Sequence, residues 1–397
     1  GPGRIERAAE RVAALLEAAE VEDPDGSGLA PAAGGALPFH PANPGELVVP
    51  ALLLRTGPDG HTWAVLTAPG PFEPPSPADL LARIRADAAN GHAWPPARRL
   101  DAEGLWTANS AHPTVRVASP TGGPGAGPGD AGLDRWRAGV LAALAAIGSG
   151  RLDKVVLARE AAVEAEWPFP RAELLRRLRR LRRRPGGSTF LYASDGFVGA
   201  SPELLVRRQG RVATSRPMAG TVPRGDSAGA EAGGLARLTG SPKEAVEHRL
   251  VVDAVAEGLA KVADRVQVGR PEVVRLATVA HLATEITADL TGPLPTALEL
   301  AGLLHPTPAV GGSPRDAALA AIAALEPFDR GCYAGPVGWV DRAGDGEWAV
   351  ALRGATLEGR HARLVAGAGI VPGSDPDTEW AETEHKLRAM LEVLLSR

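Results

Sequence analysis

The sequence predicts an α+β fold built on large antiparallel sheets, and the order of its elements carries the prediction. The strands predicted within residues 188–214 and 335–370 follow one another in hairpin-like pairs, whereas a doubly wound fold would alternate each strand with a helix. The chain has 397 residues, of which 44% are hydrophobic, so it can bury one large core or form two or three domains. Its 48 glycines and 36 prolines show no collagen period and favour a fold rich in loops.

The individual elements are predicted from local patterns. Apolar residues at helical spacing predict an amphipathic helix over residues 4–20, and two apolar runs around Gly57-Pro58-Asp59-Gly60 predict a hairpin over 47–67. Pro, Gly and Ala dominate 23–46, predicted as a connection, and 118–133, predicted as a flexible loop. Further helices are predicted over residues 134–147, 171–184, 242–265, 315–325 and 376–396. Strands are predicted at residues 154–160, 188–194, 197–200, 203–214, 335–341, 347–353 and 361–370.

Composition and charge exclude several classes of protein. The 43 basic and 47 acidic side chains leave a net charge of -4, which does not suit a protein that neutralises nucleic-acid phosphates. The single cysteine, Cys332, excludes an internal disulfide and a multi-thiolate metal site. No apolar run approaches the roughly 20 residues that span a bilayer, and no signal peptide follows Gly1-Pro2-Gly3, which we interpret as a protease scar. We therefore expect a cytoplasmic protein with no nucleic-acid or membrane partner.

The segment 171–184 is the one strongly basic stretch. Its leucines recur at helical spacing, and arginines occupy the remaining face. A solvated amphipathic helix explains this pattern, and contact with a nucleic acid or a membrane stays as the alternative.

Lysine is rare in this chain and occurs only at positions 154, 243, 261 and 386. Arginine can serve wherever only surface charge is needed, but it stays protonated, whereas a lysine can be made to give up its proton. Each retained lysine is therefore a mild candidate for a chemical role.

Two predicted helices begin with paired glutamates, and the first lies near the end of the chain. Ser374 or Asp375 can cap this helix, and Glu379, Glu382 and Lys386 recur on one of its faces. The simpler interpretation of that face is a solvated surface with a Glu–Lys pair.

The second acidic helix begins at Ser241. Glu244, three residues on, completes a capping-box pattern, and Glu247 joins it on the same face. Carboxylates from two separate helices could hold a hard divalent cation, and Mg²⁺ prefers such oxygen ligands. The spacing leaves both the capping role and the metal role open.

Two glycine-containing segments could bring a ligand close to the main chain. They are PMAGT (217–221) and AGAGI (366–370), in which backbone N–H groups could bind an anion. A tight turn and a β-bulge are the structural alternatives.

Nine segments, in order, resemble the chorismate-utilising enzymes, from about Leu152 to the C-terminus. They are KVVLARE (154–160), FVGASPELLVRR (197–208), RPMAGTVPRG (216–225), SPKEAVEHRLVV (241–252), HLATEI (281–286), HPTPAVGGSP (305–314), GCYAGPVGW (331–339), ALRGA (351–355) and AGAGIVPGSDPDTEWAET (366–383). The resemblance implies an α/β sandwich, two large antiparallel β-sheets packed together with helices outside and the site between them. It also implies a divergent N-terminal part, residues 4–150, and a chorismate-binding catalytic region, residues 151–397, which form one structural unit.

Within this family, the resemblance indicates the branch that adds water. Members that add ammonia, such as anthranilate synthase, carry Gln where this chain has Lys154, and aminodeoxychorismate synthases carry Lys where this chain has Ala219. Residues 305–310 (HPTPAV) are similar to those of isochorismate synthases and unlike those of salicylate-forming enzymes. The implied activity is isomerisation of chorismate to isochorismate, with salicylate synthase as the alternative and no glutaminase subunit.

The resemblance also implies roles for individual residues. Lys154 would be the general base that activates water at C2, and Glu203 the general acid that protonates the leaving C4 hydroxyl. Mg²⁺ would be held by Glu247 and Glu382, with Glu244 and Glu379 acting through water. The substrate would contact Gly220, Thr221, His281, Tyr333, Arg353, Gly367 and Lys386. For His281 a hydrogen-bonded core position is the alternative. No heptad seam or large apolar helix face indicates assembly, so we expect a monomer.

Overall fold

The structure, a computed structural model, describes residues 4–23, 29–40, 43, 45–56, 62–68, 73, 75, 76, 78–82, 115–118, 130–182, 190–224, 227–276 and 279–395. The principal helices are α1 (Arg4–Glu17), α2 (Asp130–Gly148), α3 (Arg171–Arg182), α4 (Ala228–Gly240), α5 (Pro242–Ala260), α6 (Ala297–Leu304), α7 (Arg315–Leu325) and α8 (Pro376–Leu395). The first ten strands are β1 (Ala32–Ala36), β2 (Leu52–Thr56), β3 (Thr62–Leu66), β4 (Val115–Ala118), β5 (Lys154–Ala165), β6 (Phe190–Ser194), β7 (Phe197–Ser201), β8 (Leu204–Gln209), β9 (Val212–Arg216) and β10 (Met218–Pro223). The others are β11 (Ala263–Val268), β12 (Glu272–Arg275), β13 (Val279–Ala283), β14 (Ile286–Leu290), β15 (Gly312–Ser313), β16 (Pro336–Asp341), β17 (Gly346–Val350), β18 (Gly354–Glu358) and β19 (His361–Ile370).

Two seven-stranded antiparallel sheets form the body of the fold. The first has the strand order β1-β16-β17-β8-β9-β14-β11, and the second has the order β15-β5-β19-β18-β7-β6, with β4 also paired to β5. Strands β10, β13 and β12 form a smaller sheet, and β2 pairs antiparallel with β3 as predicted for the hairpin, whose turn at 57–60 lies outside the described residues. The prediction of an α+β fold with large antiparallel sheets is confirmed.

The largest hydrophobic core contains buried residues of both large sheets. Trp348 and Ile286 come from the first sheet, and Val155 and Ile370 come from the second. A second core joins the second sheet to α3 and α8. Each of these apolar side chains contributes about 1.5–3 kcal/mol through its removal from water. Among the described residues, no helix has both the length and the apolar character needed to cross a bilayer.

Strand β5 holds the first residue of the predicted site in a rigid setting. Its sequence, KVVLAREAAVEA, is buried at most positions rather than at every second one, because neighbouring elements cover both of its faces. It pairs with β19 without interruption, from Val155 opposite Ile370 to Glu164 opposite His361. Lys154 opens this strand and is therefore fixed by the sheet.

Several element predictions were wrong or incomplete. The predicted connection at 23–46 contains β1, whose sequence AAGGA lacks branched and aromatic residues and becomes a strand through its pairing with β16. The predicted helix at 242–265 ends at Ala260, because the chain turns there to place β11 beside β14. The helices α4 and α6 and the strands β4, β10–β15 and β18 were not predicted, and the single strand predicted at 203–214 is the antiparallel pair β8 and β9. In the predicted loop at 118–133, residues 119–129 lie outside the described residues, and α2 already begins at Asp130.

Candidate active site

The predicted site residues come from strand ends, from short links and from the N-terminal turns of two helices. The structure places Lys154 at the start of β5, Glu203 between β7 and β8, Gly220 and Thr221 in β10, Glu244 and Glu247 in α5, His281 in β13, Tyr333 before β16, Arg353 between β17 and β18, Gly367 in β19, and Glu379, Glu382 and Lys386 in α8. Direct contacts and charge interactions link these residues into one cluster.

Lys154 is a buried lysine paired with a carboxylate. Its side chain is 0% exposed, and its Nζ lies 2.9 Å from Glu247 Oε1. Nζ has no further acceptor among the described residues, which leaves N–H groups free for a ligand. Burial opposes the charge of Glu247, but the ammonium groups of Lys154, Lys386 and Lys243 together hold the pKa of Glu247 below its ordinary value.

Two more lysines meet carboxylates of the same cluster. Lys243 Nζ donates to Glu379 Oε1 at 2.7 Å, and Lys386 Nζ lies 2.5 Å from Glu382 Oε1. Lys386 Nζ also donates to the Gly367 carbonyl at 2.8 Å, which ties α8 to β19. The interpretation of the α8 face as a solvated surface is therefore wrong for Glu379, which is 2% exposed.

Glu244 does not complete the capping box that its spacing predicted. Ser241 Oγ accepts the Glu244 N–H at 3.4 Å, but Glu244 Oε2 turns away and accepts the Thr221 N–H at 2.9 Å. Gly220 makes this contact possible, because it has a φ of 76° and a Cβ there would lie 2.9 Å from Glu244 Oε2. The pairing of β10 with β13 shifts register at Gly220, so this glycine occupies a β-bulge beside the acidic cluster.

The four glutamates supply the donor chemistry that Mg²⁺ requires. Burial, and then the charge of Glu247, raises the pKa of Glu244 to about 7. Burial and the charge of Glu382 likewise raise the pKa of Glu379. Carboxylates that repel one another in this way favour a shared cation. Within the described ranges no three acidic, His or Cys side chains already stand at ligating positions, so water would have to complete the shell of the ion. Magnesium binding stays a prediction.

Glu203 is buried and tends to be neutral. It is 4% exposed, and burial raises its pKa to about 7. The Met218 N–H and the charges of Lys154, Arg353 and Lys386 oppose this shift without cancelling it. Near neutral pH a large fraction of Glu203 therefore carries a proton that it can donate.

His281 is held as a neutral imidazole of defined tautomer. Arg353 Nη2 lies 3.3 Å from His281 Nε2, and because a guanidinium can only donate, Nε2 must be the unprotonated nitrogen. The proton then sits on Nδ1, 3.2 Å from the Gly220 carbonyl and 3.1 Å from Thr221 Oγ1. Burial and then the charge of Arg353 lower the pKa of His281 well below 6.5. His281 is therefore hydrogen-bonded and buried, as the core alternative expects, and it touches three other predicted substrate contacts, Gly220, Thr221 and Arg353. Its own contact with the substrate stays a prediction.

Tyr333 and Arg353 lie close enough for their charges to interact. Tyr333 is 7% exposed, and its hydroxyl oxygen lies beside Gly367. A Cβ added at Gly367 would come within 3.3 Å of that oxygen. Arg353 has a φ of 53°, which is rare for a residue with a side chain and occurs mainly at functional sites. Tyr192 supports this bend by donating its hydroxyl to the Leu352 carbonyl at 2.8 Å.

Two residues of the cluster received no role from the sequence. A Cβ on Gly369 would lie 2.4 Å from Glu247 Oε1 and 3.0 Å from Lys154 Cε, so a glycine is needed there. The alternation Gly367-x-Gly369 was the available signal, since it places both glycines on one face of β19. For Lys243 the signal was the scarcity of lysine, because three of the four lysines meet in this cluster.

Comparison with known proteins gives consistent matches. A family model described as chorismate binding enzyme matches residues 128–395. The chain is 37% identical over 380 residues to the putative isochorismate synthase MenF of Mycobacterium tuberculosis, a match that covers 93% of this chain and 87% of the relative. It is 43% identical over 271 residues to the isochorismate synthase DhbC of Bacillus subtilis, covering 65% of this chain and 67% of the relative. The crystal structure of a putative 2,3-dihydroxybenzoate-specific isochorismate synthase, DhbC from Bacillus anthracis, superposes with a TM-score of 0.75 at 30% identity and covers 99% of this chain and 90% of that one. With a family match over residues 128–395 and a relative of 37% identity aligned over 93% of its length, the chain belongs to the chorismate binding enzyme family.

Proposed function

We propose that this protein is an isochorismate synthase, a magnesium-dependent isomerase that adds water to C2 of chorismate and releases the C4 hydroxyl. One observation carries the proposal. A fully buried lysine, Lys154, shares a cluster with a buried carboxylic acid, Glu203, whose pKa of about 7 keeps it partly protonated. A weak nucleophile and a poor leaving group need such a base and such an acid. The names of the relatives at 37–43% identity support the same activity.

The two groups divide the proton transfers between them. A neutral Lys154 takes a proton from the water molecule at Nζ while the water oxygen bonds to C2. The ring double bonds shift and the C4–O bond breaks, and Glu203 gives its proton to the departing oxygen. One water enters and one water leaves, so the reaction is an isomerisation.

The remaining polar groups suit the two carboxylates of the substrate. Arg353 offers two parallel N–H donors to the enolpyruvyl carboxylate, and Tyr333 can donate its hydroxyl beside it. Thr221 Oγ1 lies within reach of the His281 Nδ1–H, and when it accepts that proton its own O–H is free to donate to the substrate. Lys386, fixed by the Gly367 carbonyl, supplies positive charge between β19 and α8.

Mg²⁺ would be held by Glu247 and Glu382, with Glu244 and Glu379 acting through water. When bound, the ion would neutralise the C1 carboxylate and take up charge as the ring rearranges. The cytoplasmic location, the monomeric state and the independence from a glutaminase subunit also remain predictions.

Product analysis tests the activity directly. The purified protein is incubated with chorismate and Mg²⁺, and isochorismate, salicylate, anthranilate and pyruvate are separated. We expect a mixture of chorismate and isochorismate that is reached from either side, because the two isomers contain closely similar bonds. Salicylate and pyruvate formed in equal amounts would instead establish the alternative, a salicylate synthase.

Removal of the ion tests the magnesium hypothesis. EDTA should abolish turnover, and added Mg²⁺ should restore it. Glu382→Gln should raise the half-saturating Mg²⁺ concentration, whereas Glu392→Gln, at an exposed position on the same helix, should not. Normal rates for Glu382→Gln at limiting Mg²⁺ would show that the cluster does not bind the ion.

A further inference from the structure

Lys243 occupies a position that its own helix does not favour. It follows Pro242 in the first turn of α5, where the positive end of the helix dipole repels a cation. A solvated lysine would gain nothing there, and the side chain is in fact only 29% exposed. Its position must therefore be explained by a contact outside the helix.

That contact reaches the first turn of α8. Lys243 Nζ donates to Glu379 Oε1 at 2.7 Å, across 136 residues of sequence. Glu379 is 2% exposed. The lysine therefore provides the charge partner of a carboxylate that is almost wholly removed from water.

The three lysine–glutamate pairs of the cluster join different elements. The pair Lys386–Glu382 lies within α8, and the pair of Lys154 joins β5 to α5. The pair Lys243–Glu379 joins the first turns of α5 and α8. These turns carry Glu244 and Glu379, and the second glutamate of each pair follows one turn later in the same helix.

We propose that Lys243 is a positioning residue that bridges the first turns of α5 and α8 and so sets the spacing between the acidic pairs of the two helices. It acts through Glu379 and does not contact the substrate. Only the activity measurements below rest on the proposed function.

Hydrogen exchange of the first turns of α8 tests the bridge without relying on activity. Lys243→Met keeps the length of the side chain and removes its charge, and we expect amides over 377–383 to exchange roughly tenfold faster or more. The matched control is Lys261→Met, which changes an exposed lysine at the other end of α5 and should leave this exchange unaltered. Unchanged protection in Lys243→Met would overturn the proposal. Should that variant fail to fold, Lys243→Gln provides the same comparison.

A double-mutant cycle tests whether Lys243 acts through Glu379. We expect Lys243→Met alone to lower kcat/KM by roughly tenfold and to raise the half-saturating Mg²⁺ concentration, because it leaves Glu379 without its partner. In a Glu379→Gln background the same change should have less than about a twofold effect, since the partner charge is already absent. Two independent, multiplicative effects would overturn the proposal. If the parent protein forms no isochorismate, the proposed function fails, and the exchange measurement still decides the role of Lys243.

Discussion

Glu247 and Glu203 are both largely buried, yet the pKa of Glu247 lies below the ordinary value of a glutamate and the pKa of Glu203 lies above it. Glu247 lies 2.9 Å from the ammonium group of Lys154, and the lysines around it keep its pKa below the ordinary value. Glu203 interacts with the same lysine only at longer range, and its pKa rises to about 7. Burial acts on both carboxylates in the same direction, so the contact partner decides which one is ionised.

The contrast divides the site into two regions. The paired region consists of the lysine–glutamate contacts at the starts of β5, α5 and α8, where the lysines stabilise the charge of Glu247. The neutral region consists of Glu203, His281 and Tyr333 around Arg353, and there burial raises the pKa of Glu203 to about 7 and keeps His281 uncharged near neutral pH. A reaction that needs a cation site and a proton donor at the same pH can be served by two such regions side by side.

The largest expected effect is loss of the base in the paired region. Lys154→Met should lower kcat by about 10²–10⁴-fold while substrate binding survives, because other groups hold the carboxylates. Lys154→Arg should fail as well, since a guanidinium cannot give up its proton near neutrality. Steady-state kinetics measure both variants, and melting temperatures show that they are folded. A Lys154→Arg enzyme with nearly normal kcat would mean that the lysine supplies only charge.

Loss of the acid in the neutral region should be of similar size. Glu203→Gln keeps the shape of the side chain but cannot donate an acidic proton, so kcat should fall by about 10²–10⁴-fold with little change in KM. Glu257→Gln, at an exposed position on α5, is the control. Nearly normal turnover in Glu203→Gln would move the acid to another residue.

Apolar periodicity and turn residues predicted the strands β5, β6, β7, β16, β17 and β19 and the helices α7 and α8, but they missed α4, α6 and every strand between residues 218 and 290. The prediction also failed at β1, where AAGGA becomes a strand only through the partner strand β16. The resemblance supplied thirteen site residues, but not the pairing of Lys243 with Glu379, which joins positions 136 residues apart. Nor does spacing distinguish Glu203 from Glu247 in charge, because their pKa values depend on burial and on contacts made in the folded chain.

A methyl group placed at Gly369 should disturb the paired region alone. The added Cβ would lie 2.4 Å from Glu247 Oε1, the end of a flexible side chain, so Glu247 can move and the fold should survive. The displacement would separate Glu247 from Lys154, and we expect Gly369→Ala to lower kcat by up to about 10²-fold. Gly148→Ala, where a Cβ meets nothing within 4 Å, is the control. An unchanged kcat would show that the Lys154–Glu247 contact is dispensable.

The pH dependence should report the neutral region. Only protonated Glu203 can donate, so its raised pKa places the loss of activity on the alkaline side, with kcat/KM falling as pH rises through about 7. The decline in kcat/KM should approach about tenfold per pH unit once most of Glu203 is ionised. A kcat/KM profile that stays flat well above this pH would show that Glu203 is not the acid.

The smallest effect is expected at His281, which orients the neutral region without transferring a proton. His281→Asn removes the acceptor for Arg353 Nη2, a contact of 3.3 Å, while an amide N–H can still reach the Gly220 carbonyl. A net hydrogen bond of about 1 kcal/mol corresponds to a change of roughly fivefold, and we expect it in KM because Arg353 binds a carboxylate that is present throughout the reaction. The imidazole stays neutral because its pKa lies well below 6.5, so the variant should keep the pH profile of the parent. Initial rates over a range of chorismate concentrations separate the two parameters. A fall of kcat by about 10²-fold or more would instead assign a proton-transfer step to His281. His281 would then not be a positioning residue, and Glu203 would not be the only proton donor of the neutral region.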